Sequence, residues 1–233
     1  MNLRQKALRG VIWSVFQNWG TQFSSTLVLL ILARILGAEA FGLVALASVY
    51  IDFVQVLVEQ GFAPAIVQRQ NLEPEHLNTA FWISIGLSLI MAIITVLMAP
   101  NIAVLFNQES LAPIIRWLSL TFIFKSFNSV QEALLKRSLN FKGLAARGLG
   151  ASLMASVVGV SMALMGFGVW SLVGRQITEV ATASLLLWKI NDWRPQFQVS
   201  WKHFKDLFLF GINVIGIKLS LFFSRRSDNF LIG

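Results

Sequence analysis

The sequence contains no cysteine and few charged residues, which make up 13% of its 233 positions. Without cysteine the chain has no disulfide, no thiolate metal ligand and no thiol nucleophile. Hydrophobic residues reach 56% and the mean hydropathy is +0.68, which is too apolar for a water-soluble globule. The scarcity of charge therefore excludes the soluble classes and predicts a membrane protein.

Histidine is also scarce, and the two histidines, His76 and His203, fall in different polar connecting segments. Both are interpreted as interfacial residues, so neither a metal site nor a cofactor is predicted. The sequence also lacks a nucleophile paired with a base and a phosphate-binding glycine loop. These absences argue against an enzyme.

Long apolar runs follow one another along the chain. A run of about 20 such residues is enough to cross the hydrocarbon core as a helix. Six full spans and one unfinished span are predicted, at about 11–36, 41–66, 79–105, 112–135, 144–166 and 168–190, and from 206 to the end. The predicted fold class is an all-α polytopic membrane protein.

Lysine and arginine are concentrated in alternate loops, and this asymmetry sets the predicted orientation. The richer side holds Arg4, Lys6, Arg9, Arg69, Lys136, Arg137, Lys142, Arg147, Lys189, Arg194, Lys202 and Lys205. The opposite loops hold little beyond Arg34 and Arg116. The N-terminus is therefore predicted to be cytoplasmic, and the first apolar stretch is too long for a removable signal peptide. The net charge of +8 is attributed to topology and not to nucleic acid.

The end of the chain matches its beginning. With a shift of 196 residues Gly216 falls on Gly20, and the final LIG falls on the ILG of LARILG. Because this second copy starts after six spans, we interpret it as a parallel repeat. The prediction is a six-helix N-terminal lobe at 1–195, followed at 196–233 by a cytoplasmic linker and a truncated seventh helix. On this reading the chain is a fragment of a longer protein.

Ionisable residues inside membrane helices are costly and by default indicate function. Three spans carry such stripes: Asp52, Gln55 and Glu59 in the second, Lys125, Asn128 and Glu132 in the fourth, and Arg175 and Glu179 in the sixth. The spacings i, i+3, i+7 and i, i+4 place each set on one helical face. Gln17 in the first span and Lys218 in the last are further polar groups. Helices one, two, four and six are predicted to enclose a wet cavity of mixed charge.

Two structural alternatives stay open at this point. Arg175 and Glu179 can instead form a buried ion pair that sets helix registry. Asp52 and Glu59 can instead lie at the membrane interface, at one end of their helix. For Lys125 the cavity is favoured, because its nearest acidic residue in the helix lies two turns away.

The predicted fifth span has small residues at every fourth position, namely Ala151, Ala155, Gly159 and Ala163. This spacing lets two helix backbones approach closely within lipid. The span is therefore predicted to be a packing helix.

Several motifs occur in a fixed order: LARILGAEAFGLVALA, EQGFAPAIVQR, LNTAFW, LLKRSLNFKGLA, GFGVWSLVGRQ and the closing SRRSDNFLIG. In order and spacing they resemble the Wzx-like polysaccharide flippases of the multidrug/oligosaccharidyl-lipid/polysaccharide exporter superfamily, over essentially the whole chain. The resemblance implies a MATE-like transporter of two six-helix lobes in the bacterial plasma (inner) membrane. Such a transporter flips a polyprenyl-diphosphate-linked oligosaccharide by alternating access, for lipopolysaccharide or exopolysaccharide synthesis.

The resemblance also implies roles for the polar residues. A cationic cavity would bind the diphosphate and sugar head group, with Lys125, Arg175, Lys218, Asn128 and Gln17 as substrate-binding candidates. Asp52 and Glu59 are candidates for coupling to a proton or sodium gradient. Arg175 departs from the family's GVWSLV segment. The expected partners are membrane lipids, the missing second lobe and polysaccharide assembly proteins, and nucleic acid is not expected.

Two other functions are weighed against the flippase. Related multidrug exporters extrude organic cations, which requires an acidic cavity, and the lysine and arginine content of these helices disfavours it. A non-transporting remnant is the remaining alternative, favoured by the abrupt end of the chain.

Overall fold

The computed structural model describes residues 3–59, 61–209, 211–212, 216–217 and 220, with side chains from residue 19 onward except 21, 23 and 24. The helices are α1 (Leu3–Val58), α2 (Phe62–Gln68), α3 (Pro74–Leu105), α4 (Leu111–Leu118), α5 (Leu120–Arg137), α6 (Phe141–Leu164) and α7 (Trp170–Ile190). Residues 201–209 form a further helix, named here the 201–209 helix. No strand occurs in the described ranges, which confirms the all-helical prediction.

Three helical segments are long and apolar enough to cross a membrane: Ser25–Val58, Pro74–Leu105 and Phe141–Leu164. Large apolar side chains on their outer surfaces are exposed, as Ile93 and Leu97 are on α3. Apolar surfaces of this extent are unfavourable in water and favourable against lipid. The chain is a multi-pass membrane protein.

Glycine residues mark the helix boundaries in this part of the chain. α1 consists of two helices that meet at a kink at Gly37, where φ is 76° and ψ is 174°, so the break falls between the first two predicted spans. The predicted second span ends early, at Val58, because Gly61 adopts a φ of 69° and separates α1 from α2. A Cβ atom at Gly61 would also lie 2.7 Å from the backbone of Gly211. Glycine accepts both the positive φ and the close approach because it has no Cβ.

The buried core lies between the inner faces of α1, α3, α4, α5 and α7, around Ile51, Ile115 and Phe122. A second cluster joins α2, α3 and α5 to the 201–209 helix through Phe62 and Leu207. The two clusters lie at opposite ends of the bundle. The helices are therefore packed together on both sides of the polar residues that lie between the clusters.

Helix α6 packs most extensively against α7 and α1. Its small residues Ala151, Ala155, Gly159 and Ala163 are all buried in this packing. A Cβ atom at Gly159 would lie 2.9 Å from the Cβ atom of Arg175 on α7. The prediction of a packing helix is confirmed.

We expect Gly159→Ala to lower the midpoint of thermal unfolding in detergent by several degrees. The added methyl group forces α6 and α7 apart, and overpacking of this kind costs about 1–3 kcal/mol. Gly86→Ala in α3 is the matched control, because a Cβ there has no neighbour within 4 Å. Equal midpoints for the two variants would show that the α6–α7 contact does not limit stability.

Residues 191–200 cross the ends of α3, α5 and α7 without forming a helix. Buried polar side chains hold this segment: Gln131 Nε2 donates to the carbonyl oxygen of Trp193 at 3.1 Å, and Asn78 Oδ1 accepts from the backbone N–H of Gln196 at 3.0 Å. Side-chain partners of this kind satisfy backbone groups that have no helix to pair with. The segment therefore holds the 201–209 helix against the bundle.

Candidate functional site

A polar cavity of about 800 Å³ lies beside the junction of α1 and α2 and between α5, α6 and α7. Its walls are formed by Glu59, Ala63, Pro64, Lys125, Asn128, Ser129, Glu132, Lys136, Arg147, Gly148, Ala151, Gln176, Glu179, Val180 and Ala183. Cavities of this size hold small ligands or head groups. The second, fourth and sixth predicted spans all contribute, and α6 adds a wall through Arg147 and its neighbours.

Glu132 forms salt bridges with two cations on one wall of the cavity. Its Oε1 lies 2.7 Å from Lys136 Nζ, one helical turn further along α5, and its Oε2 accepts a hydrogen bond from Arg147 Nη1 at 2.6 Å. Charge-assisted hydrogen bonds are about twice as strong as neutral ones. One carboxylate therefore fixes two cations and ties α5 to α6.

Lys125 contrasts with these paired cations. It is half-buried on the cavity wall, and it forms no salt bridge with any described residue. Asn128 lies one turn further along α5 and is 4% exposed, and its Oδ1 has no hydrogen-bond partner. Buried polar atoms normally have a partner, because burial removes their bonds to water. Lys125 thus presents a cation to the cavity, and the Oδ1 of Asn128 is buried in the same wall without a partner.

Carboxylates line the other walls. Glu59, at the end of α1, accepts a hydrogen bond from Gln55 Nε2 at 3.5 Å. Glu179 lies on α7 beside Gln176. The ionisable side chains of the lining are Glu59, Glu132, Glu179, Lys125, Lys136 and Arg147, so carboxylates and cations are equal in number. The described walls therefore carry mixed charge, suited to a head group with both anionic and hydroxyl functions.

The remaining predicted site residues lie elsewhere. Arg175 packs its side-chain stem against Gly159 on α6 and does not line the cavity. Asp52 is half-buried in α1 and is likewise absent from the lining. The side chain of Gln17 and the whole of Lys218 lie outside the described residues, as does the closing SRRSDNFLIG.

The alternative ion pair on α7 is wrong. Arg175 and Glu179 form no salt bridge in the described structure, and Arg175 Nε is buried without a hydrogen-bond partner. Glu179 faces the cavity, whereas the Arg175 stem is held at Gly159. The close packing of α6 on α7 places the stem of the arginine beside Gly159.

Sequence reasoning missed Lys136, Arg147 and Gln176 as cavity residues. Lys136 and Arg147 were assigned to topology, because they belong to a basic loop. The i, i+4 spacing of Glu132 and Lys136 indicates that these two residues can form a salt bridge. The approach of Arg147 depends on how α6 crosses α5, and no local pattern encodes that crossing.

Comparisons with known proteins agree with the motif pattern. A family profile described as polysaccharide biosynthesis protein matches residues 31–233. The chain is 29% identical to the succinoglycan biosynthesis transport protein ExoT of Rhizobium meliloti, over 96% of this chain and 45% of that protein. No solved structure matches the chain with significance.

Two further relatives come from other bacteria. The lipopolysaccharide biosynthesis protein WzxC of Escherichia coli is 30% identical over 60% of this chain and 29% of its own length. The teichuronic acid biosynthesis protein TuaB of Bacillus subtilis is 22% identical over 78% of this chain and 38% of its own length. The chain thus spans less than half the length of these curated relatives. The resemblance read from the motifs is confirmed: the chain belongs to the polysaccharide biosynthesis protein family, with the Wzx-like flippases.

Proposed function

We propose that this chain is the N-terminal part of a transporter that flips a polyprenyl-diphosphate-linked oligosaccharide across the bacterial plasma membrane. In this proposal residues 1–195 form a six-helix lobe with a cytoplasmic N-terminus, and a second lobe completes a MATE-like carrier that works by alternating access. The observation that carries the proposal is the polar cavity, in which Lys125 has no carboxylate partner among the described residues. Family membership supports transport of a polysaccharide precursor.

In the proposed binding mode Lys125 contacts the diphosphate. A fixed positive charge in a cavity of low dielectric attracts an anion more strongly than it does in water. Asn128, in the same wall, turns its side chain to hydrogen-bond the sugar, while the lipid tails stay in the bilayer. Glu132 forms salt bridges with Lys136 and Arg147, so these two cations do not bind the diphosphate. The head group is then held by few contacts and can dissociate from the cavity.

Roles in transport are also proposed for the predicted substrate-binding and ion-coupling residues outside this binding mode. Arg175, Gln17 and Lys218 are proposed to contact substrate in another state of the carrier or through the second lobe. Asp52 and Glu59 are proposed to couple flipping to a proton or sodium gradient. Glu59 supports this role better, because it lines the cavity itself.

Export of an organic cation is the second candidate. Glu179 lines the cavity and forms no salt bridge with a described residue, so a cationic drug would find an acceptor there. The two functions predict opposite effects of charge at Lys125. Removing that cation would weaken binding of a diphosphate and strengthen binding of a cationic drug.

The test is a flipping assay in liposomes. The 233-residue chain and, where the reading frame continues, the complete protein are reconstituted with a polyprenyl-diphosphate oligosaccharide in one leaflet. Access of a lectin to the opposite face is followed with time. We expect lectin access to increase only with the complete protein. Failure of the complete protein to flip this substrate, together with uptake of an organic cation, would replace the proposal by the second candidate.

A further inference from the structure

The only two histidines of the chain lie in contact, although they are 127 positions apart in the sequence. The ring centroids of His76 and His203 are 4.4 Å apart and the rings are nearly perpendicular. Glu73 Oε2 lies 2.9 Å from His203 Nε2. The ligand atoms of Glu73, His76 and His203 all fall within 4.8 Å of one another. Residues that the sequence places in separate connections thus form one cluster.

Two elements hold this cluster together. Glu73 is the N-cap residue of α3 and His76 lies in the first turn of that helix, where the backbone N–H of Glu73 donates to His76 Nδ1 at 3.3 Å. His203 belongs to the 201–209 helix, which is anchored by the fully buried Leu207. An edge-to-face contact between Phe204 and the ring of Phe62 adds to this anchoring. The three side chains are therefore positioned by packing that does not depend on a ligand.

The cluster contains buried nitrogen atoms without partners. His76 is 2% exposed, and its Nε2 makes no hydrogen bond with a described residue. His203 Nδ1 is likewise buried and unpaired. Such atoms are rare in stable proteins, because each one loses its bonds to water on burial. The unpaired Nε2 of His76, next to Glu73 and His203, points to a ligand that the chain itself does not supply.

We propose that Glu73, His76 and His203 bind a divalent transition-metal ion of the zinc class. Two imidazole nitrogens and one carboxylate are a donor set that zinc uses in proteins. The ligand atoms need to close from at most 4.8 Å to about 3.3 Å, the separation set by zinc–nitrogen bonds of about 2.0–2.1 Å in a tetrahedron. A shift of this size is available to Glu73, whose side chain is 60% exposed.

Asp206 lies next to the proposed metal site. Its Oδ2 lies 3.9 Å from His76 Nε2, close enough to become a fourth ligand after a small movement. Arg69 Nη2 holds the same oxygen at 3.2 Å, which orients the carboxylate as supporting residues do around metals. The two carboxylates balance the charge of a divalent ion.

Binding changes the protonation of His76. Because Nδ1 accepts from Glu73, the ring proton of the neutral imidazole sits on Nε2. When Nε2 ligates the ion, that proton moves to Nδ1, and the hydrogen bond from the backbone N–H of Glu73 is broken. His203 gives up its hydrogen bond to Glu73, and both side chains bind the ion instead. The ion would join the start of α3 to the 201–209 helix.

The test is metal binding by the purified full chain, without a polyhistidine tag and after treatment with EDTA. Zinc is titrated calorimetrically, and cobalt(II) serves as an absorbing probe of tetrahedral geometry. We expect one zinc equivalent per chain with a Kd in the micromolar range or tighter. His203→Gln and His76→Gln should each weaken it at least tenfold, whereas Glu75→Gln, beside the cluster but not in it, should bind as the wild type does.

A second measurement keeps the test decisive if His76→Gln does not fold. Zinc should protect His203, the more exposed of the two histidines, from modification by diethylpyrocarbonate. Binding that is unchanged in His203→Gln, or a His203 that stays reactive in saturating zinc, would overturn the proposal. Neither readout depends on transport, so the result is independent of the proposed flippase function.

Discussion

Lys125→Glu is expected to reduce flipping of a polyprenyl-diphosphate oligosaccharide by at least tenfold in the complete protein. Lys125 is the half-buried cation of the cavity wall that pairs with no described carboxylate, so its charge is available to a diphosphate. Reversing it places a carboxylate beside Glu59 and Glu179 on the same walls. A tenfold loss corresponds to about 1.4 kcal/mol. This is less than the repulsion of about 4 kcal/mol between two like charges about 4 Å apart in a partly buried site.

The matched control is Lys189→Glu. Lys189 lies in the last turn of α7, is exposed and does not line the cavity. Flipping is measured by lectin access in liposomes, with the amount of inserted protein and its thermal unfolding midpoint determined in parallel. Equal rates for the two variants would remove Lys125 from the substrate path. A rise in organic-cation transport by Lys125→Glu would favour the second candidate function.

Glu132→Gln is expected to lower the free energy of unfolding by about 2–3 kcal/mol, between the values for surface and buried ion pairs. The glutamine keeps the shape of the side chain and removes the charge that holds Lys136 and Arg147. Because Glu132 retains 27% exposure, water compensates part of the loss. The two cations would then face the cavity without a fixed carboxylate.

Thermal unfolding in detergent measures this change, and Glu109→Gln is the control. Glu109 lies in the exposed turn before α4 and forms no salt bridge with a described residue. Glu132→Gln should also slow flipping, because released cations hold the diphosphate more tightly and delay its departure. A variant as stable as the Glu109 control would show that the two salt bridges contribute little to the fold.

Helix α5 carries three polar residues whose shared face follows from the sequence. The i, i+3, i+7 spacing of Lys125, Asn128 and Glu132 predicts one face, and in the structure all three line one cavity. That success has a simple cause, because helix periodicity alone decides which side chains share a face. The same periodicity cannot say whether a neighbouring helix presents a partner, and so Arg147 was missed.

Arg175 illustrates the opposite outcome. Its spacing from Glu179 allows an ion pair, but the close approach of α6 at Gly159 takes up the arginine stem. The small-residue pattern of α6 predicts this packing in general terms. Which side chain of α7 meets the glycine depends on the rotation of both helices, and that rotation is a property of the whole bundle.

Composition, apolar runs and ordered motifs are enough to identify a helical membrane protein of the polysaccharide biosynthesis family, because they are local or additive properties. Which charges meet depends instead on the packing of the helices. This packing joins Arg147 to Glu132 across two helices, leaves Lys125 without a described partner, and brings His76 to His203 over 127 residues. Such contacts between distant segments depend on how the helices cross and on how the connections bring the chain back. The spacing of residues within one segment does not contain this information.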